Sequence, residues 1–328
     1  MRAAGWTTCV PGPVCALLAI SVLGACTSAD YGRTIGDFAA ATDELAVSVD
    51  AYDAALVEAV GKLNRSLALG VDGTPRSVLV HREEGSIDCT TTADRCRLVV
   101  RDGSGPRPLA PDAILSGSRA LVRALASYAG DLKAVADADV ASDVRASVDA
   151  MNATLVDIAH GLPDGATRAA TVRFAPPVGS AVRWLGGVRL STMKVEALRN
   201  ATAAADPVVR DAADVVAGQV DSVLRVKRAT LADEVERLRA AYNDRPTPEA
   251  LDALMKAGRA LDAALRQRPG DAVRRFGEVH GELTRALARP EPELEQVIRS
   301  IRSLEAEARG LRDVARAMAG AVRAEERL

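Results

Sequence analysis

Large side chains are scarce in this chain. Aromatic residues make up 3% of its 328 positions, with three Phe, two Trp and four Tyr. A thick globular core built on aromatic filling is therefore excluded. Histidine is nearly absent as well. His81, His160 and His280 are the only three, and none falls in an HExxH-type spacing. No GxSxG, Walker-type loop, dinucleotide-binding fingerprint or CxxC occurs. No excess of one charge exists: Lys and Arg total 42 and Asp and Glu 44. Without a basic stripe, nucleic acid is not an expected partner. Apart from residues 14–25, no apolar run approaches the roughly 20 residues of a spanning helix.

Alanine fills the space left by these absences. There are 63 Ala, about a fifth of the chain, within a hydrophobic share of 48%. Ala is the strongest helix former and a poor core filler. Thin helix–helix seams follow from such a composition. The charged share of 26% is that of a folding chain, not a disordered one.

An apolar run from Val14 to Ala25 ends in Leu23-Gly24-Ala25-Cys26. This Leu-small-small-Cys pattern resembles the lipobox of bacterial lipoprotein precursors. The resemblance covers residues 23–26 only and implies a targeting class, not a domain family. It implies that residues 1–25 are a signal peptide, that Cys26 is the acylated, palmitate-bearing N-terminus, and that residues 26–32 form a lipidated tether. The partners implied are the lipid bilayer, reached through Cys26, and another envelope protein. Thr27 is not the Asp that often accompanies inner-membrane retention, so an outer membrane is favoured where one exists. An ordinary secreted protein cut nearby is the alternative. The apolar run is too short for a span and fits a signal segment.

Once Cys9, Cys15 and Cys26 are assigned to the signal and the lipid, Cys89 and Cys96 are the only pair left. An oxidising compartment would close them as a disulfide. Two reduced thiols, or half of a metal site, are the other readings. No further Cys completes a zinc set. No metal site, cofactor or catalytic residue is expected.

Apolar positions from Ile35 to Leu67 step by three and four, the pattern of a coiled-coil seam, and predict a helix over 33–69. Residues 71–111 break the pattern. They read as two short strands, 77–81 and 97–101, in a disulfide-closed β-hairpin followed by a Pro-rich return. A second long helix is expected from about 111 to 161, with a stutter between 132 and 148. Helix is expected again over 178–204, then from Asp206-Pro207 to about 243, where the pair looks like the cap and first-turn proline of a new or kinked helix. Thr247-Pro248-Glu249 opens another helix, with Leu251, Leu254, Gly258, Leu261 and Leu265 as its seam. Two more follow, over 273–287 and 291–326.

The fold class expected is all-α. Residues 33–328 form one elongated, mostly antiparallel bundle of about five rods with coiled-coil-like seams. His280 lies on the apolar seam of its helix and reads as a hydrogen-bonded interior residue. Glu83-Glu84, Asp137/Asp139 and Glu305/Glu307 read as solvated surface. The function expected is a non-enzymatic envelope scaffold, spacer or protein-binding module. A cargo-binding or chaperone lipoprotein, and an enzyme with a site assembled from distant residues, are the alternatives. Oligomeric state is left open by the sequence.

Overall fold

The computed structural model of the chain describes residues 14–68, 78–82, 96–102, 105–108, 114–162, 190–289 and 294–325. The fold is all-α in class, with one small sheet. Helices α1 (Val14–Ala68), α2 (Ser116–Asp137), α3 (Ala141–His160), α4 (Leu190–Asp244), α5 (Pro248–Arg266), α6 (Pro269–Ala288) and α7 (Leu294–Glu325) carry the bundle. Strands β1 (Val78–Arg82), β2 (Cys96–Asp102) and β3 (Gly105–Pro108) lie between α1 and α2.

Five rods close into a ring: α1 on α2, α2 on α4, α4 on α6, α6 on α7, and α7 back on α1. Long-range bonds fix the directions. Asp53 of α1 meets the start of α2, and Lys194 near the start of α4 meets Ala136 at the end of α2. Arg199 reaches Leu287 while Asp221 reaches Gly270, so α6 opposes α4. Arg275 pairs with Glu307 and Gln296 with Glu282, so α7 opposes α6. Four antiparallel steps in a five-membered ring leave α7 running the same way as α1. Glu44 and Arg312 pair at 2.7 Å across that parallel seam.

The apolar seams bury as their spacing implies. Ile35, Phe38, Leu45, Val49, Tyr52 and Leu56 on α1 are at most 2% exposed. Thr42 joins them because its hydroxyl donates to the Phe38 carbonyl at 2.7 Å. On α7, Val297, Ile301, Leu304, Ala308, Leu311, Ala315 and Met318 form the matching stripe.

Several expectations are corrected. The rod expected over 111–161 is two helices, α2 and α3, folded back on each other. Thr154 donates to Asp131 at 2.8 Å, and Gly161 lies against Leu121. The run of fours at 132–148 is therefore a chain reversal at 138–140, where Ala138 and Val140 take extended ψ angles of 132° and 158°. Asp206-Pro207 does not start a helix. Helix α4 runs through it unbroken, with Pro207 on the exposed face. There the carbonyl that loses its donor belongs to Ala203, an exposed residue, while Val208 and Val209 are buried in the core. The start expected for this element, 178–189, lies outside the described residues.

Helix α1 also continues through residues 26–32, expected as a tether; nothing between Thr27 and Tyr31 is a helix breaker. The excursion holds three strands in place of two. Val78 pairs with Val100 and Arg82 with Cys96, and β3 adds to the far side of β2. Pro106 and Pro108 are tolerated because β3 is an edge strand. Cys89 lies outside the described residues, so the expected disulfide with Cys96 does too.

The seam expected on α5 does not close. Ala264 is its one buried residue, and Leu251, Met255 and Leu265 are 40%, 50% and 50% exposed. This helix packs on the last third of α4 beyond the other rods.

Gly270 tests how tightly the helix ends are set. Its backbone N–H donates to Asp221 at 3.2 Å, and a Cβ placed there would lie 2.6 Å from that carboxylate. Gly130 is also helical but has nothing within 4 Å. Gly270→Ala should lose about 1–3 kcal/mol of stability through crowding. Gly130→Ala should gain about 0.5–1 kcal/mol through its helix propensity. Urea unfolding of both variants reads the two signs.

Candidate functional site

His280 is fully buried where α1, α2, α4 and α6 meet. It reaches this level because α6 presents Val273, Phe276, His280, Leu283 and Leu287 on one face at three- and four-residue steps. Phe276, one turn earlier, stacks on Phe38 of α1 with ring centroids 5.4 Å apart and planes 15° apart. Phe38 and Tyr128 flank the imidazole at 6.3 Å and 5.5 Å. Three of the nine aromatic residues, Phe38, Phe276 and Tyr128, thus meet at one level of the bundle.

The imidazole is hydrogen-bonded at both nitrogens. Nδ1 lies 3.1 Å from Oδ1 of Asp206 on α4, and Nε2 lies 2.9 Å from the hydroxyl of Tyr128 on α2. Asp206 is held in turn by Arg210 at 2.5 Å, one turn along α4. Burial pushes the His280 pKa down, and Asp206 only partly opposes that. Asp206 is itself buried enough to raise its pKa, but His280 and Arg210 outweigh that and hold it below the ordinary carboxylate range. Burial, reinforced by the Asp206 charge, lifts the Tyr128 phenol well above its ordinary value. One assignment satisfies all three shifts. Asp206 is ionised, neutral His280 donates from Nδ1 to it, and Tyr128 donates to Nε2.

Two shallow grooves run along the outside of α6. One, of about 380 Å³, lies against α4 and is lined by Arg210, Asp214, Arg274, Glu278, Glu282 and Arg285 among others. The second, of about 490 Å³, lies against α7 and includes Arg268, Arg275, Glu307 and Leu311. Neither is lined by His280 or Tyr128. The Tyr–His–Asp–Arg chain can hold a proton in a fixed place, but only its outer end, Arg210, reaches a groove. It reads as a satisfied polar tie inside the core.

A second buried phenol, Tyr52 on α1, has no hydrogen-bond partner for its hydroxyl among the described residues. Burial, with a smaller push from Asp221, raises its pKa to about 12.

The remaining candidate residues do not converge. Cys26 lies within α1, Cys96 opens β2, His81 is on β1 opposite Arg97, and His160 ends α3. Asp137 pairs with Lys133, Glu305 with Arg309, and Glu307 with Arg275. Glu83 and Glu84 lie outside the described residues. Among the described residues, no cluster of three or more His, Cys, Asp or Glu could hold a metal ion. Also among the described residues, no helix is long and apolar enough to cross a membrane. Sequence reasoning placed His280 inside but missed its partners. Asp206 looked like a helix cap, and Tyr128 lies 152 residues away from His280.

Comparisons with protein-family models, with curated proteins and with solved structures find no match to this chain.

The buried tie has a pH signature. A His whose folded pKa lies below its unfolded value of about 6.5 stabilises fully above that value. As pH falls below it, the unfolded chain takes up a proton that the folded chain refuses, and stability declines. Asp206, also depressed, extends the loss toward lower pH. Urea titrations between pH 7.5 and 5 should therefore show a falling midpoint, and His280→Gln should flatten that slope. Tyr128→Phe should lose about 1–3 kcal/mol by stranding Nε2 in the core.

Proposed function

We propose that this chain is a lipid-anchored protein of a bacterial cell envelope. Residues 1–25 are removed, Cys26 is acylated, and the helical bundle serves as a non-enzymatic scaffold, spacer or protein-binding module for another envelope component. The observation that carries this reading is the Leu23-Gly24-Ala25-Cys26 pattern at the end of a short apolar run.

Its place in the bundle supports a spacer in particular. Tyr31, five residues beyond Cys26, is already buried at 5% exposure. Tyr31 and the seam that follows it leave little slack between lipid and body. The rods then set how far the rest of the molecule stands from the bilayer. The other end of α1 carries the sheet. Asp53 holds the start of α2 about 30 Å along α1 from residue 33, at 1.5 Å per residue. In the chain the sheet lies between the end of α1 and that start of α2, and β2 and β3 both touch α1. The same reading closes Cys89 and Cys96 as a disulfide. The chain leaves β1 at Arg82 and returns at Cys96 directly opposite, so the loop bearing Cys89 is already closed by the strand pairing.

Metabolic labelling with palmitate in a bacterial host should mark the wild-type chain and not Cys26→Ser. The wild type should partition into detergent, and Cys26→Ser should leave the membrane fraction or stay uncut. Label on Cys26→Ser would overturn the assignment. Alkylation of the exported protein without reductant should leave Cys89 and Cys96 unmodified, and reductant should expose two thiols.

A further inference from the structure

Among the described residues, the hairpin made by the last third of α4 and by α5 is the part of the bundle whose apolar seam stays open. Leu231, Val235, Leu238 and Tyr242 on α4, and Leu254 and Leu261 on α5, are all half-buried, although they hold heptad spacing. Leu251, Met255 and Leu265 are exposed outright. The helices themselves are well made. Thr247 caps α5 by accepting from the Ala250 N–H at 3.2 Å, with Pro248 at the first helical position. Arg228 closes the other end by donating to the carbonyls of Ala264 and Gln267 at 3.0 and 2.8 Å. A firmly capped pair of helices with an unclosed seam is half of a four-helix bundle.

Charge along the hairpin says what fits the other half. Arg228 sets the level, placing residues 225–228 beside 264–268. This base holds Arg225, Lys227, Arg228, Arg266 and Arg268. The acid nearest in sequence on α5, Asp262, is already paired with Arg266 at 2.5 Å. Lys227 is half-buried with no ion-pair partner among the described residues, and burial pushes its pKa down. The tip, residues 240–254, has the opposite sign: Asp244, Glu249 and Asp252 against Arg245 alone. A basic base and an acidic tip on one element are complementary to a second copy of that element turned end for end. A two-fold axis across the middle of the hairpin performs that operation, and two-fold pairing is the commonest way identical chains associate.

We infer that the α4–α5 hairpin is a self-association surface, closing an antiparallel four-helix bundle with the hairpin of a second copy of this chain. The open apolar edges around Leu251, Met255 and Leu265 meet across the axis. The Glu249 and Asp252 end of one copy lies against the Arg266 and Arg268 end of the other. This inference stands whether or not Cys26 is acylated. Because α4 runs parallel to α1, such a pair carries its two N-termini at opposite ends.

Sedimentation equilibrium of the whole chain, as its Cys26→Ser variant in detergent-free buffer, should show a monomer–dimer equilibrium at micromolar concentration. Leu251→Glu with Met255→Glu should weaken it at least tenfold, with thermal unfolding monitored by circular dichroism unchanged because both side chains are exposed. Asp252→Arg alone and Arg268→Glu alone should each weaken it, and the two together in one chain should restore it. That rescue separates end-for-end pairing from any other dimer. A chain that remains monomeric at 100 µM, a dimer indifferent to Leu251→Glu and Met255→Glu, or a charge-swapped double variant no better than the singles would each overturn the inference.

Discussion

Capture of helix ends by charged side chains on the two longest helices sets the register of this fold. An alanine-rich seam resists sliding poorly, because small equal side chains present nearly the same surface at every turn. Something else must fix how far one rod sits along another. On α4, Lys194 donates to the last-turn carbonyl of Ala136, Arg199 to that of Leu287, and Arg228 to those closing α5. Asp221 accepts from Gly270 in the first turn of α6. On α1, Asp53, 1% exposed, accepts from the N–H groups of Ile114 and Leu115 at the start of α2. Each contact pairs a cation with a helix C-terminus or a carboxylate with an N-terminus, the sense favoured by the helix dipole. Each also satisfies backbone groups that a helix end leaves open. Moving α2, α5 or α6 by one turn would break its tie and strand a charge.

The aromatic level adds a lateral constraint to these axial ones. Phe38, Phe276, Tyr128 and His280 bring the large side chains of three helices to one height, and Asp206 ties in a fourth. Rings fill there the width that Ala and Val cannot. The hydrogen bonds that His280 gives to Asp206 and accepts from Tyr128 are what a purely apolar plug would lack: they are satisfied in one rotation of α6 relative to α2 and α4. Gly281 follows from the same geometry. A Cβ there would lie 2.7 Å from the Arg210 guanidinium that holds Asp206.

Local chemistry was legible in the sequence wherever it alone decides structure. The seams of α1, α6 and α7 followed from three- and four-residue steps, and Thr247-Pro248 marked a true helix start. Reading failed where a partner outside the window decides. Ala138-Asp139-Val140 holds no Gly or Pro, so the reversal between α2 and α3 looked like a heptad stutter; the turn is held by packing of α3 on α2 and α4. Asp206-Pro207 has the composition of a helix start, yet Val208 and Val209 on the core side keep α4 continuous. The polar tie was half legible. An apolar seam interrupted by His280 shows an interior imidazole, but the spacing of one helix cannot identify Asp206 and Tyr128, which belong to other helices. The open seam of α5 was the reverse failure. Its heptads are regular, and periodicity alone cannot say whether a facing rod exists.

The odd number of rods gives the molecule a direction. In an even ring of antiparallel neighbours, no two adjacent helices share a sense. Five members force one parallel pair, here α1 and α7, joined by Glu44 and Arg312. Helices α1, α4 and α7 then all run one way, and α4 matches α1 in length. At 1.5 Å per residue its 55 residues span about 80 Å. Its start is pinned to the end of α2, which points back toward Tyr31, so its far end must stand at the opposite pole from residue 31. The parity of the ring therefore sets residue 31 and the α4–α5 hairpin at opposite poles, because α4 must run in the same sense as α1.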